Sequence, residues 1–255
     1  MKVFKTMLKT ELKLSLRGMD MFIFAICMPV LVTVILGVIY GNKPAFPGAD
    51  FTFMEQSFAA VSTIAICAGG VMGLPLVLSE YRHRKILKRF RVTPVSPSMI
   101  LVVQGVIYAL YAIVSLILVY LTAKIFFKFQ FRGSWINFLG AYTLVMTSMF
   151  SIGFMVGGIA KNIKMAGVIA SILYFPMLIF SGATLPYEVM PTALQRVADI
   201  LPLTHGIKLL KSASLNLSMD NAILPILVVS ILAVICIGVS IKLLGGSNLK
   251  LINKH

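Results

Sequence analysis

The sequence predicts an all-α integral membrane protein with six transmembrane helices, on three observations. Hydrophobic residues make up 59% of the 255 and charged residues only 12%, about half the charged share of an ordinary soluble domain, and the mean hydropathy is +0.97. Apolar runs of about 20 residues, enough to cross a bilayer once, recur along the chain and leave little for a separate soluble catalytic domain. The 23 Lys and Arg, against 8 acids, collect between alternate runs. A net charge of +15 would suit a nucleic-acid binder, but the chain has a lone Trp135 and no polar domain. Cations gathered in cytoplasmic loops beside an anionic leaflet explain the charge better, so the expected partner is the lipid bilayer and not nucleic acid.

Residues 1–20 carry Lys2, Lys5, Lys9, Lys13 and Arg17 at steps of three or four, with Val3, Phe4, Met7, Leu8 and Leu14 on the opposite face. That pattern predicts an amphipathic helix lying in the membrane interface, the alternative being a basic stripe that only sets topology. The run 21–40 is long for a signal sequence and no A-x-A site comes after it, so it reads as a retained anchor and first span. The further spans are expected at 57–78, 99–123, 135–160, 165–182 and 221–244, with a basic tail at 245–255. Pro29, Pro75 and Pro176 fall inside the first, second and fifth spans, where each removes a backbone hydrogen bond and can bend its helix. Cys27, Cys67 and Cys236 all lie in apolar runs, an odd number without paired spacing. They read as small buried hydrophobes, with no disulfide framework and no metal site.

With the N-terminus cytoplasmic, the inside segments, with Lys242 at the inner end of the last span, hold 16 of the 23 Lys and Arg and 3 of the 8 acids, and the outside segments hold 7 and 5. Both termini are therefore expected inside. No Asp, Glu, Lys, Arg or His falls in the middle of any span, so the usual equipment of a proton relay or ion path is missing. Gly37 with Gly41, Gly69 with Gly73 and Gly153 with Gly157 give small-xxx-small spacings that allow close helix approach, and packing within the chain is as good an explanation for them as an oligomer interface.

Two segments carry the functional argument. Between spans two and three, Glu80, Arg82, Arg84, Lys88, Arg89 and Arg91 surround Ile86, Leu87 and Phe90 on one helical face, and Thr93-Pro94 stops the helix. A short amphipathic helix with an apolar anchor and a positive rim suits docking into a partner's groove; a loop that merely sets topology is the alternative. Before the last span, Ser181-Gly182, Pro186, Pro191 and Pro202 bracket residues 192–200, where Leu194, Val197 and Ile200 keep helical spacing. This predicts one short helix forming an external or re-entrant cap, since irregular backbone at that depth must be covered by protein or face a watery cavity.

These two segments resemble those of ABC-2 type transporter permeases: the run Leu87-Lys88-Arg89-Phe90-Arg91-Val92-Thr93-Pro94 is similar to the family's loop after span two, and Ser181-Gly182, Pro186, Pro191, Leu194 and Pro202-Leu203-Thr204 to its segment before the last span. With six spans and an N-terminal interfacial helix, the resemblance covers essentially the whole chain as a single domain. It implies a permease in a bacterial inner membrane that pairs with a second permease, of the same or a homologous sequence, and with two cytoplasmic ATPase subunits to export a substrate. Residues 80–94 (Glu80, Arg82, Arg84, Ile86, Leu87, Lys88, Arg89, Phe90, Arg91, Thr93 and Pro94) would be the coupling helix that touches the ATPase. Lys5, Lys9, Lys13 and Arg17 would lie on a connecting helix against it. The family often has an acid followed by Gly-Thr before the leucine, whereas this chain has His83, Lys85 and Ile86. The family's second and fifth spans line the central pathway, which points to Phe58, Ser62, Phe175, Met177 and Phe180. Such a lining is aromatic, Met-containing and uncharged, so it favours hydrophobic or amphipathic cargo.

The sequence contains no G-x-x-x-x-G-K-[ST] phosphate loop, so ATP and Mg would be bound by the partner ATPase, and no cofactor and no catalytic residue are expected here. Three other readings stand beside this one. A secondary transporter or channel would normally show an intramembrane acid, inverted repeats or a polar filter. A membrane enzyme would have to pair Ser181 with His205 as nucleophile and base. A non-transporting immunity or sensor protein could use the same architecture.

Overall fold

The computed structural model describes residues 2–41, 43–84, 97–184, 187, 190–217 and 222–249. Helix α1, Lys2–Gly18, precedes α2 (Ile23–Tyr40) and α3 (Phe53–His83), then α4 (Pro97–Phe127), α5 (Trp135–Ile159) and α6 (Ile163–Phe180). Two shorter helices, α7 (Thr192–Ala198) and α8 (Pro202–Leu215), lead into α9 (Ile223–Leu249). Among the described residues there is no strand, only an isolated bridge between Pro44 and Thr52. Six helices, α2 to α6 and α9, are long and apolar enough to cross a membrane, and they match the six expected spans.

Helix α3 is the hub. In its most apolar stretch 83% of residues are buried, against 28% in α6 and in α9, and it packs against α2, α4, α5, α6 and α8. Lipid tails are as apolar as side chains, so helices in a bilayer associate through close packing rather than through hydrophobic expulsion. Small residues on α3, among them Ala59, Ala60, Ala65, Ala68, Gly69 and Gly70, allow that approach. Five of the six glycines in the three spacings face another helix of the chain, while Gly41 meets only the Gly37 carbonyl one turn back. Gly37 faces the ring of Phe127, Gly69 and Gly73 face Tyr108, Gly153 meets the backbone of Gly70, and Gly157 meets Leu78. The outward faces of the surrounding helices remain apolar, with Val38, Ile117, Ile172 and Val234 exposed where lipid would cover them.

Two spans contain a turn of π-helix, Ile23–Cys27 in α2 and Ala68–Gly73 in α3, and the two turns lie against one another. Each ends two residues before a proline, Pro29 or Pro75. A proline has no N–H to donate and its ring crowds the carbonyl four residues back; a wider turn just upstream is one way to absorb that crowding within a helix. Pro176 sits inside α6, which continues through it to Phe180.

The structure corrects the sequence reading in three places. The segment between α6 and α9 holds two helices where one was expected: α8, to which the sequence reading assigned no element, is a 14-residue helix buried against α3, α5 and α9. On α1 the inward stripe is Phe4, Met7, Leu8 and Leu12, while Val3 and Leu14 are exposed. Cys27 is exposed, whereas Cys67 and Cys236 are buried, because Cys27 lies on the outward side of α2.

Candidate functional site

The basic segments α1, the last turns of α3 and the turn between α5 and α6 converge at one end of the bundle, where α4 begins. Residues 80–84 prolong α3 instead of opening a separate helix, and the Arg84 N–H donates to the Glu80 carbonyl at 2.9 Å. Glu80 and Arg84 also pair at 2.9 Å through their side chains on the surface, where solvent leaves such a pair little net energy. The remaining coupling residues Ile86, Leu87, Lys88, Arg89, Phe90, Arg91, Thr93 and Pro94 lie outside the described residues.

Arg82 does not project outward with its neighbours. Its Nη1 donates to the carbonyl oxygens of Gly157, Gly158 and Ala160 at 2.8, 2.5 and 3.1 Å. Those are carbonyls at the C-terminal end of α5, which have no partner within the helix and carry the negative end of its dipole. The guanidinium thus caps α5 from α3 and joins the two spans.

The neighbouring Tyr81 points the other way, toward α1. Its hydroxyl donates to Glu11 Oε2, and Gln104 Nε2 on α4 donates to the same oxygen at 2.9 Å and to the Tyr81 hydroxyl at 3.1 Å. Four residues along α1, Ser15 Oγ and Tyr111 OH are 3.0 Å apart. Lys5, Lys9, Lys13 and Arg17 are exposed on the opposite side of α1, as its amphipathic pattern requires. Sequence reasoning passed over Glu11. Its signal was its position, a lone acid on the apolar stripe Phe4, Met7, Leu8, Leu12 of an otherwise basic helix.

The five pathway residues do not come together on one open face. Phe58 and Ser62 are buried within the chain. Phe58 packs in an aromatic cluster with Phe129 and Phe138 at ring distances of 4.6 and 5.6 Å, and Ser62 Oγ donates to the Phe58 carbonyl at 2.7 Å. Met177 is buried as well, Phe180 is half-buried and Phe175 is exposed. A half-open cleft of about 380 Å³ between α5, α8 and α9, lined by Ile136, Leu144, Leu209 and Ile226 among others, contains none of the five.

At the opposite end, Thr52 and Glu55 form a reciprocal cap on α3: the Thr52 N–H donates to Glu55 Oε2 at 2.9 Å and the Glu55 N–H to Thr52 Oγ1 at 3.2 Å. Arg132, from the α4–α5 connection, reaches the buried Glu55 carboxylate at 3.2 Å. The cap before α9 is built on Asp199. Its carboxylate accepts from Tyr187 at 3.1 Å and pairs with Lys208 Nζ at 2.7 Å, and Lys208 lies 4.6 Å from the centre of the Tyr187 ring. The Lys208 bond holds the Asp199 carboxyl below the ordinary carboxylate range. Gly182 takes a φ of +97° at the turn out of α6, a conformation that favours glycine. Pro191 precedes α7 and Pro202 opens α8, whereas Pro186 lies outside the described residues. Ser181 and His205 do not form a nucleophile–base pair. Ser181 Oγ has no hydrogen-bond partner, and His205 Nε2 is bonded to the Asp199 backbone carbonyl at 2.9 Å.

Residues 2–215 match the family model of the ABC-2 type transporter. Among relatives, nodulation protein J of Rhizobium leguminosarum bv. viciae is 34% identical over 37% of this chain and 36% of its own length. The inner membrane transport permease YhhJ of Escherichia coli (strain K12) is 24% identical over 64% of this chain and 43% of its own. The transport permease YvfS of Bacillus subtilis (strain 168) is 22% identical over 76% and 78%. The matched part thus spans less than half of the first two relatives. A family match across most of the chain, six apolar helices and relatives named as transport permeases agree: the protein is a multi-pass membrane protein and belongs to the ABC-2 type transporter family.

Proposed function

We propose that this chain is the non-catalytic permease of an ATP-driven exporter. It sits in a bacterial inner membrane with both termini cytoplasmic. It works with a second permease, identical or homologous, and with two cytoplasmic ATPase subunits that bind ATP and Mg and hydrolyse the nucleotide. Its cargo is hydrophobic or amphipathic: a drug, an amphipathic or antimicrobial peptide, a lipid or a lipid-linked glycan. Export is then driven by closure of the ATPase pair against residues 80–94, which shifts the spans between inward and outward openings.

The observation that carries this reading is the mounting of that segment. The helices entering and leaving it, α3 and α4, are both bonded to α1 through Glu11, and α3 is bonded to the end of α5 through Arg82. Force applied there would reach four helices and not one flexible loop, as a transmitted conformational change requires. The test is co-purification of the ATPase after replacing Leu87 and Phe90 by Asp. Loss of the ATPase from a correctly inserted permease is expected, because a charge would replace each apolar anchor; undiminished co-purification refutes the proposal. Efflux from reconstituted vesicles that needs ATP and survives an uncoupler separates an ATP-driven exporter from a secondary carrier.

A further inference from the structure

Glu11 is the acid nearest the middle of α1 and it points inward. Lys9 and Lys13 on either side are exposed, while Glu11 Oε2 accepts from the Tyr81 hydroxyl on α3 and from Gln104 Nε2 on α4 at 2.9 Å. Tyr81 and Gln104 are themselves bonded at 3.1 Å, and Gln104 is buried. One oxygen atom therefore closes a triangle among three helices. Two of them are the helices between which residues 85–96 are strung. Such a triangle needs one oxygen with lone pairs enough for two donors, and the Glu11 side chain supplies it. The partly buried setting strengthens each bond and makes the loss of the acceptor costly.

We infer that Glu11 is the positioning residue of the coupling segment: it fuses α1, the end of α3 and the start of α4 into one body, so that a push on residues 85–96 moves all three together. The inference rests on the reading of residues 80–94 as the ATPase contact. It goes further by assigning to α1 the role of a strut clamped at a single carboxylate. The exposed cations of α1 lie on its other face, so they play no part in the clamp.

The test uses the full chain in lipid nanodiscs, with Cys27, Cys67 and Cys236 replaced and spin labels at Lys13→Cys on α1 and Arg84→Cys at the end of α3. Glu11→Ala is expected to widen the label–label distance distribution roughly twofold, as a helix held at one point begins to sample other positions. Glu11→Gln is expected to restore the narrow distribution, because the amide oxygen still accepts both bonds. Tyr111→Phe, which removes the single bond to Ser15, is expected to leave the width unchanged. A narrow distribution in Glu11→Ala, a Glu11→Gln variant as broad as Glu11→Ala, or an equal broadening in Tyr111→Phe overturns the inference. With the ATPase bound, the parent's distance is expected to be the same in the nucleotide-free and vanadate-trapped complexes; a shift in the parent shows that α1 and α3 are not one body and also overturns it. If no ATPase binds the parent, the proposed function fails while the nanodisc measurement on the chain alone still decides the role of Glu11.

Discussion

The close approach of α5 to α3 makes a severe test of the packing argument. A Cβ on Gly153 of α5 would lie 1.9 Å from the carbonyl oxygen of Gly70 on α3 and 3.0 Å from Leu74 Cβ. An ordinary C–H···O contact needs about 3.3 Å, so Gly153→Ala obliges the two helices to part by about 1.4 Å. The obstacle is backbone in the π turn of α3, so no side chain can rotate out of the way. Overpacking of this kind costs about 1–3 kcal/mol. The same displacement carries α5 away from Arg82, whose bonds to Gly157, Gly158 and Ala160 measure 2.8, 2.5 and 3.1 Å. Weakening a hydrogen bond from a charged donor adds about 1.5–3 kcal/mol.

A combined loss near 4 kcal/mol corresponds to a fall in melting temperature of about 10 °C for a chain of this size. The assay is thermal unfolding in detergent micelles, monitored by the loss of the monodisperse peak on size exclusion. Gly140→Ala is the control, since nothing lies within 4 Å of a Cβ there. It is expected to leave stability unchanged or raise it by about 0.5–1 kcal/mol through helix propensity. If Gly153→Ala melts with Gly140→Ala, α3 and α5 do not meet at these glycines and α3 is not packed as the hub of the bundle.

Three further perturbations probe the ends of the helices. Arg82→Leu, which deprives the end of α5 of its cap, is expected to lower stability by about 2–3 kcal/mol in the melting assay. Thr52→Ala and Glu55→Ala are each expected to cost about 1 kcal/mol or more, and the double variant less than their sum, because the two residues cap one another. Asp199 is held below its ordinary range chiefly by the Lys208 bond, so the stability it confers is complete above the unfolded value of about 3.9 and is lost as pH falls through its lower folded value. Hydrogen exchange over residues 190–208 is expected to quicken only in strong acid, and Lys208→Met to move that onset to higher pH.

Much of the architecture was legible because crossing a bilayer imposes a length and an apolar composition on each helix, and those six signals are local. Helix α1 was legible for a similar reason, its charge period. The reading failed where burial came from the neighbours. Helix α8 carries Thr204, His205, Lys208, Lys211 and Ser212, a composition that reads as loop, yet Leu203, Ile207 and Leu210 fall on one face and are buried. Pro202 at its first turn and the left-handed Asn216 at its end are proper start and stop signals, masked by the polar residues between them. Glu11 and the partners of Arg82 were missed differently. Sequence gives the helical face of a charged residue, but the groups opposite that face are set by tertiary contact, here the end of α5 and the start of α4.

The same distinction separates the contacts at the ends of the bundle from those between them. At the basic end, hydrogen bonds from Tyr81, Arg82 and Gln104 tie α1, α3, α4 and α5 together. At the other end, the Glu55–Arg132 pair and the rings around Phe58 bind α3 to the α4–α5 connection. Between them, α3 passes through its π turn with glycines against rings and backbone, Gly69 and Gly73 on Tyr108 and Gly70 on Met149 and Phe150. Contacts of that type are close but not directional, so they can slide without leaving a polar group unpaired, whereas the end contacts cannot. A π turn can also revert to α-helix by shifting the register of the downstream helix by one residue. In α3 the downstream part is Leu74–His83, the segment that carries both Tyr81 and Arg82. A register shift in that one turn would turn Tyr81 away from Glu11 and Arg82 away from the end of α5, leaving a carboxylate and a guanidinium without their partners. The bonds at the basic end therefore hold the π turn at Ala68–Gly73 in place.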